Sequence, residues 1–243
     1  MIKIVTLVIV ISFLFIFTPN VFSQNGTEYY NKGMEYFKKE SFDSALENFT
    51  KAIELNKDYA DAYFMKGRCN IENEDYEDAI NDIDKAIKIN PSVASYYFYK
   101  ASSFYFLKNF DQAFAFYSKV IEIKKDYADA YNDRGMIYKN KGQYDLALND
   151  IDSAISYNRN NPKYFLNRGV VCTLMKDYQK GVEDFTSAIN LDSSLKEAYF
   201  GRGMAYYMIS KADEACWDFK TAYSMGYEKA GELLKSLCKQ NDN

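Results

Sequence analysis

The stretch Tyr-Ala-Asp-Ala-Tyr occupies residues 59–63 of this chain and recurs unchanged at residues 127–131, 68 residues later. A glycine follows each copy at the same distance, at Gly67 and Gly135. Taken every 34 residues, that position holds glycine five times and alanine once: Gly33, Gly67, Ala101, Gly135, Gly169 and Gly203. A constant period of this length is typical of a stacked array of repeats, in which each unit buries its apolar face against its neighbours.

Each repeat carries two stretches with the periodicity of an amphipathic helix. In the first repeat Ala45, Phe49 and Ala52 recur at i, i+4 and i+7, a spacing that places them on one face of a helix. Small, bulky and small residues return at these positions with the 34-residue period. The glycine lies in the preceding stretch, where Tyr29 and Tyr36 flank it at the same spacing. The sequence therefore predicts two helices in each repeat.

Glycine inside a helix costs about 1 kcal/mol relative to alanine. Its use at five of six equivalent places predicts a compensating close approach, in which the missing Cβ lets the first helix lie against the small alanine face of the second. Acidic or amide residues stand at the start of each second helix, where their side chains interact favourably with the unpaired N–H groups of the helix N-terminus. These residues are Asp43, Glu77, Asp111, Asp145, Gln179 and Asp213.

This pattern resembles the tetratricopeptide repeat, whose signature includes a leading aromatic residue, a glycine, alanines around a second aromatic residue and a closing proline. The leading aromatic position is filled by Tyr29, Tyr63, Tyr97, Tyr131, Phe165 and Tyr199. The match extends from Gly26 to about Tyr227, although a base replaces leucine before each glycine and the closing proline survives only as Pro91. The resemblance implies an all-α fold, a right-handed superhelix (α-solenoid) of antiparallel helix pairs.

The register of the repeats predicts the organisation of the chain. The expected segments are a signal peptide at 1–23, six repeats at 26–59, 60–93, 94–127, 128–161, 162–195 and 196–227, and a capping helix with a polar tail at 228–243. In the last segment Ala230, Leu233, Leu234 and Leu237 recur at helical spacing. Such a stripe suits a helix that covers the apolar end of the array.

Residues 1–23 differ in composition from the repeats. A single base precedes an apolar run at Ile4–Phe17, and small or modest residues end the segment at Ser23. We expect a signal peptide that is cleaved to leave Gln24 as the mature N-terminus, and export to a periplasmic or secreted location. The run is shorter than the roughly 20 residues of a membrane-spanning helix. Retention of residues 2–17 as a membrane anchor is the alternative, and membrane contact is expected only in that case.

The composition argues against several classes of function. With 30 basic and 34 acidic residues the formal net charge is −4, and interspersed charges of this kind do not suit nucleic-acid binding. The chain has no histidine, the side chain on which triads and most general bases depend. It also has no Cys-x-x-Cys pair, phosphate-binding loop or nucleophile elbow. We therefore predict no enzymatic activity, no cofactor and no metal site.

The four cysteines are interpreted mainly as small buried residues. Cys69, Cys172 and Cys216 stand at positions that other repeats fill with core residues. Because an exported protein meets an oxidising environment, one disulfide is kept as an alternative, between Cys216 on the last repeat and Cys238 on the capping helix.

A base before each glycine faces an aspartate on the second helix in four repeats. These pairs are Lys66 with Asp82, Arg134 with Asp150, Arg168 with Asp184 and Arg202 with Asp218. We expect each pair to hold its two helices in register and, as an exposed ion pair, to contribute under about 1 kcal/mol.

The resemblance implies that ligands bind on the inner face of the superhelix, which first-helix positions line. These positions are aromatic or aliphatic in the first three repeats, whereas Asn132 and Lys139 interrupt the series in the fourth. The predicted partner-binding residues are Tyr30, Phe37, Phe64, Phe98, Tyr105 and Phe106. By register Tyr97 and Phe104 belong to the core. A contiguous apolar patch usually marks a contact, and tighter stacking between repeats is the alternative.

The predicted function is that of an exported protein–protein interaction scaffold, which binds a protein or peptide segment in the assembly of an envelope complex. The alternatives are a self-associating scaffold, which forms a homodimer through its N-terminal repeat, and a protein that binds or cleaves cell-wall glycan. Family members that grip the C-terminal carboxylate of chaperones use a Lys/Asn/Arg clamp, which Tyr30 and Met34 do not reproduce.

Overall fold

The computed structural model describes residues 19–238, with side chains from Gly26 onward. They belong to two compact units, one ending at Ile123 and the other beginning at Lys124. Most of the predicted signal segment, residues 1–18, lies outside the described residues, as does the tail at 239–243. The assignment of a cleaved signal peptide therefore stays a prediction.

Residues 19–238 form thirteen α-helices and contain no β-strand. Unit 1 holds α1 (Pro19–Lys38), α2 (Phe42–Leu55), α3 (Ala60–Glu72), α4 (Tyr76–Ile89), α5 (Ala94–Phe106) and α6 (Phe110–Ile123). Unit 2 holds α7 (Ala128–Asn140), α8 (Tyr144–Tyr157), α9 (Pro162–Leu174), α10 (Tyr178–Leu191), α11 (Lys196–Met208), α12 (Ala212–Ser224) and α13 (Glu228–Leu237). Among these helices, none is both long enough and apolar enough to cross a bilayer.

The helices of each unit pack pairwise and in order. The closest packing is within α1–α2, α3–α4 and α5–α6 of unit 1, and within α7–α8, α9–α10 and α11–α12 of unit 2. Each pair combines a first helix that carries the glycine position with a second helix that carries the alanine series. The fold class is an all-α solenoid, as the sequence predicts.

A tight turn with a left-handed residue joins the two helices of each pair. After α1, Glu40 has a φ of 56°. The N–H of Glu40 donates to the carbonyl of Phe37, and the N–H of Ser41 donates to that of Tyr36. These two bonds form a Schellman motif, which satisfies the last carbonyls of the helix. Positive φ recurs at the same residue of all six pairs: Glu40, Glu74, Lys108, Gly142, Lys176 and Ser210.

The close approach predicted at the glycines is present, but its partner differs from the prediction. A Cβ added to Gly67 would lie 2.7 Å from Ile83 Cγ1 and 3.0 Å from the carbonyl oxygen of Ala79. On Gly135 the added atom would lie 3.0 Å from Ile151 Cγ1. The missing Cβ thus makes room for the bulky residue of the second helix. The alanine contributes its backbone to this contact rather than its methyl group.

The predicted ion pairs between first and second helices are formed. Arg134 donates from Nε and Nη2 to the two carboxylate oxygens of Asp150, each at 2.8 Å. The nitrogen of Lys66 lies 2.6 Å from a carboxylate oxygen of Asp82. Bidentate contacts like that of Arg134 also join Arg168 to Asp184 and Arg202 to Asp218.

The expectation that these pairs are exposed is wrong. Their aspartates are buried between the helices, with exposed fractions of 3% for Asp82, 7% for Asp150, 3% for Asp184 and 0% for Asp218. Burial raises the pKa of the Asp218 carboxyl, and the hydrogen bonds from Arg202 oppose that rise. Removing one partner of a buried pair leaves an uncompensated charge and costs about 3–5 kcal/mol, well above the value for exposed pairs.

The predicted capping helix is α13, which packs against α12 and buries Ala230 completely. A disulfide joins Cys216 on α12 to Cys238, directly after α13, with their Cα atoms 5.7 Å apart. Cys216 is therefore a cross-link rather than a simple core residue. Cys69 and Cys172 are free and buried, as the sequence predicts.

Candidate functional site

All six predicted partner-binding residues lie in unit 1. Tyr30 and Phe37 are on α1, Phe64 is on α3, and Phe98, Tyr105 and Phe106 are on α5. Five of them are half-buried, whereas Phe106 exposes 56% of its surface. The rings are therefore part of the helix packing as well as of the surface.

The two predicted residues of α1 are anchored against neighbouring rings. The Tyr30 ring centroid lies 5.6 Å from that of Phe49 and 5.0 Å from that of Tyr59. The Phe37 ring centroid lies 5.5 Å from that of Phe42, the first residue of α2. Such contacts fix the orientation of both rings and leave them partly accessible.

The predicted residues of α5 contact different neighbours. Phe98 lies 5.6 Å from the buried ring of Tyr117, measured between ring centroids. Tyr105 lies 5.3 Å from Phe110 in an edge-on contact. Phe106 stacks on Tyr76, the first residue of α4, with ring centroids 5.0 Å apart and planes inclined by 11°. Phe106 thus lies over the start of α4.

The register of the aromatic residues of α5 is only partly as predicted. Tyr97 is 9% exposed, which agrees with a core position, and Phe104 is half-buried against Phe116. The most deeply buried ring of α5 is Tyr96, which sequence reasoning missed. Its hydroxyl donates to Asp61 on α3 at 2.7 Å.

The same contact occurs in unit 2, where the hydroxyl of Tyr164 donates to Asp129. Burial raises the pKa of both tyrosines, and the adjacent aspartates raise it further. The sequence signal for this contact lies in the repeated Tyr-Ala-Asp-Ala-Tyr stretch. Asp61 and Asp129 are the central residues of its two copies, and a tyrosine follows each of them by 35 positions. These bonds connect consecutive helix pairs within each unit.

Two further residues that sequence reasoning missed connect the predicted rings. The guanidinium carbon of Arg68 lies 4.8 Å from the ring centroid of Phe37 and 4.6 Å from that of Tyr99. The Tyr99 ring centroid is also 5.5 Å from that of Phe64 and 5.4 Å from that of Phe98. These five residues join α1, α3 and α5 into one continuous surface, which we call the aromatic face.

The sequence signal for Arg68 is the 34-residue series in which it stands. The other members of that series are uncharged: Met34, Ser102, Met136, Val170 and Met204. The repeat pattern does not require a charge at this position, which is apolar or small in the other repeats. Arg68 therefore indicates a requirement particular to its own repeat.

None of the four described cavities is lined by a residue of the aromatic face. In unit 1 a cavity of about 510 Å³ is lined by Lys57, Asp58, Tyr63, Lys85, Lys88 and Ile89. Lys85 is already paired with Asp82 and lies over the Tyr63 ring. In unit 2 a smaller apolar groove is lined by Thr173, Leu174, Tyr178, Met204, Ala205 and Met208.

Two kinds of chemical site, metal clusters and reactive cysteines, can be assessed in the part of the chain that the structure describes. That part contains no group of three or more Cys, Asp or Glu residues that could hold a metal ion. Burial raises the pKa of the Cys69 thiol to about 12 and that of the Cys172 thiol to about 11. Since the thiolate is the reactive form, both cysteines are poor nucleophiles.

Comparison with known families agrees with the fold and its repeats. Two family models described as tetratricopeptide repeat match this chain, one at residues 30–94 and 71–129 and the other at 116–149. The matched part of the chain, residues 30–149, thus carries tetratricopeptide repeats. The fold is that of a protein–protein interaction scaffold with protein or peptide partners, a class that is generally without catalytic activity.

Several solved structures share this fold. YrrB, described as a tetratricopeptide repeat protein with an unusual peptide-binding site, is 21% identical over 77% of this chain and 97% of its own, with a TM-score of 0.60. PilF of Pseudomonas aeruginosa is 14% identical over 88% of this chain and 99% of its own, with a TM-score of 0.77. A tetratricopeptide repeat protein of Parabacteroides merdae is 19% identical over 89% and 100%, with a TM-score of 0.66. No protein with a curated description matches the sequence significantly.

Proposed function

We propose that this chain is an exported interaction scaffold that binds a protein or peptide segment on the aromatic face of unit 1, in the assembly of an envelope complex. The observation that carries the proposal is the continuity of that face, in which Arg68 and Tyr99 link rings on three helices. Aromatic side chains in a groove supply binding hot spots of about 2 kcal/mol or more. The peptide-binding site named for YrrB supports the same class of partner. Tyr30, Tyr105 and Phe106 remain predicted contact residues.

The test compares two pairs of rings at equivalent positions. Phe98 and Tyr105 belong to α5, and Phe200 and Tyr207 stand at the same two positions of α11 in unit 2. Phe200 packs on Phe219 with ring centroids 5.9 Å apart, much as Phe98 packs on Tyr117. The double substitution Phe200→Ser with Tyr207→Ser is therefore a matched control for Phe98→Ser with Tyr105→Ser. Both variants should lose similar amounts of stability.

The ligand for this test is a peptide selected from a displayed random library on the full-length chain. Its affinity for the wild type and for both variants is measured by fluorescence anisotropy. We expect the unit 1 variant to bind about tenfold more weakly and the unit 2 variant to bind as the wild type does. Equal weakening in both variants would assign the effect to stability, and failure to select any peptide would reject a peptide segment as ligand.

Export is part of the proposal and is supported by the composition of residues 1–23. Sequencing the N-terminus of protein recovered from the source cells tests it directly. A chain that begins at Gln24 agrees with cleavage and export. A chain that keeps Ile4–Phe17 would instead favour a membrane anchor.

A further inference from the structure

Arg68 is unlike the other arginines of the helix pairs. Arg134, Arg168 and Arg202 each stand before a glycine and hold an aspartate of their own pair by two hydrogen bonds. Arg68 stands after Gly67, and within residues 26–238 no carboxylate forms an ion pair with it. Its guanidinium therefore makes no ion pair within the described residues, unlike those of Arg134, Arg168 and Arg202.

The surroundings of Arg68 restrict how a ligand can approach it. The rings of Phe37 and Tyr99 lie over its guanidinium at 4.8 and 4.6 Å from the ring centroids. Its Nε atom is buried and has no hydrogen-bond partner among the described residues. The two ring contacts restrict the orientation of the guanidinium, and because Nε is buried, the N–H donors of Nη1 and Nη2 are the groups left to bind a partner.

The chemistry that matches such an edge is a carboxylate. Arginine presents N–H donors in a planar fork that fits the two oxygens of a carboxylate, and the charge-assisted bonds that result are among the strongest hydrogen bonds in proteins. Unit 2 uses this match with its own aspartates at Arg134, Arg168 and Arg202. In unit 1 the matching group is left for a ligand to supply.

We infer that Arg68 anchors a carboxylate of the bound segment, and that this segment carries an internal Asp or Glu between apolar side chains. The inference rests on the proposed function, since it uses the aromatic face as the binding surface. The internal position follows from the arrangement of the rings, because the rings that contact Arg68 of α3 come from two other helices, Phe37 from α1 and Tyr99, next to Phe98, from α5. A segment that covers both sets of rings passes Arg68 rather than ending there.

The test selects peptides from a random library that is fused to its carrier through the peptide C-termini, so that only side-chain carboxylates are offered. Selection is run on the full-length wild-type chain and on Arg68→Met. Methionine is the matched replacement, because it occupies three of the equivalent positions, Met34, Met136 and Met204. Peptides selected on the wild type should share an Asp or Glu flanked by apolar residues, and those selected on Arg68→Met should not.

A double-mutant cycle identifies the contact. Changing the shared acidic residue of a selected peptide to its amide should weaken binding to the wild type about tenfold, and Arg68→Met should have the same effect. Both changes together should weaken binding no further than either one alone. Arg68→Lys keeps the charge but loses the planar fork, so its peptide affinity should lie between those of the wild type and Arg68→Met. It replaces Arg68→Met in the cycle if the methionine variant does not fold.

The outcomes separate this inference from the proposed function. Selected peptides without a shared acidic residue would overturn the role of Arg68 and leave the scaffold proposal standing. An acidic residue whose effect is additive with Arg68→Met would place its partner elsewhere and would also overturn the inference. If peptides ending in a free carboxylate bound more tightly than their internal counterparts, the internal position would be wrong. Failure to select any peptide on the wild type would overturn both proposals.

Discussion

Unit 1 and unit 2 fill the position before the glycine with different bases. Unit 1 has Lys32, Lys66 and Lys100 there, whereas unit 2 has Arg134, Arg168 and Arg202. Each of the three arginines holds a buried aspartate through two hydrogen bonds. Of the lysines, Lys66 pairs with the buried Asp82, whereas Lys100 pairs with the exposed Asp84 and lies 4.3 Å from the ring centroid of Phe116. A planar fork fits a carboxylate, while an ammonium group is a compact point charge.

Arginine therefore serves two purposes in this array of helix pairs. In unit 2 the three arginines that precede a glycine form internal pairs that hold the helices together. Arg68 is the only arginine before Arg134, and it is half-buried in contact with two rings and makes no ion pair within the described residues. We therefore expect internal ion pairs to matter most for the stability of unit 2, and the charge of unit 1 to matter most for binding.

The largest expected effect comes from removing an arginine of unit 2. Arg202→Met leaves Asp218 fully buried without its counter-ion and should lower the free energy of unfolding by about 3–5 kcal/mol. In unit 1, Lys66→Met leaves Asp82 with donors from Asn70 and Lys85, so the loss should be about 1–3 kcal/mol. Urea unfolding followed by circular dichroism measures both.

Lys51→Met is the control for this comparison, because its ion pair with Glu47 is exposed on α2. That substitution should leave the unfolding midpoint unchanged. Equal losses for Arg202→Met and Lys66→Met would contradict the view that the two units depend differently on these pairs.

The disulfide between Cys216 and Cys238 is a second feature that belongs to unit 2, and the cysteine of unit 1, Cys69, is free. It closes a loop across a sequence separation of 22 residues. Replacing both cysteines with serine should cost about 3 kcal/mol, in line with loops of this size. Hydrogen exchange should show the loss in α12 and α13, with the amides of unit 1 unaffected. Wild-type protein that exchanges at the same rate with and without reductant would contradict this expectation.

The glycine positions provide a comparison at equivalent sites of the two units. A Cβ at Gly135 would lie 3.0 Å from Ile151 and 3.2 Å from the carbonyl oxygen of Ala147, whereas at Gly67 the corresponding distances are 2.7 and 3.0 Å. Gly135→Leu should therefore cost about 1–3 kcal/mol through overpacking, although leucine is the better helix former by roughly 0.8 kcal/mol. Gly67→Leu should cost more. An unchanged or raised melting temperature for Gly135→Leu would reject the packing scheme.

The fold could be predicted from the sequence because its main determinants are local and periodic. The glycine series, the alanine series and the acidic residues at helix starts each return every 34 residues, so that every repeat supports the same interpretation. The partners of the glycines could not be predicted. Spacing alone places Ala45 and Phe49 on one face, but it does not say which of them meets the neighbouring helix most closely.

The candidate site was harder to predict, since its residues interrupt the periodicity. The six predicted residues were chosen as rings at lining positions, and that rule cannot find Arg68, whose neighbours in the series are methionine, serine and valine. Nor does it find Tyr99, whose ring reaches Arg68 and Phe64 from the next pair. Whether a ring is buried or exposed depends on contacts between repeats, which a single repeat's pattern does not contain.

The left-handed turns between paired helices give the smallest and most local comparison of the two units. In unit 1 all three turn residues carry a Cβ, whereas unit 2 has Gly142 at one of its three, with a φ of 72°. A left-handed conformation costs a residue with a Cβ about 1–2 kcal/mol. Glycine avoids that strain but loses about 0.5–1 kcal/mol more conformational entropy on folding.

Lysine and glycine can therefore be exchanged between the two units at this turn position. Lys108 has a φ of 60° and is exposed, so Lys108→Gly should raise the free energy of unfolding by up to about 1 kcal/mol. Gly142→Lys should lower it by a similar amount, since the strain is moved to unit 2. Thermal unfolding of the two single variants and of the double variant provides the measurement. Opposite shifts that nearly cancel in the double variant are expected because the sites are independent. A loss of stability in Lys108→Gly would show instead that the lysine side chain contributes more at this turn than the strain it carries.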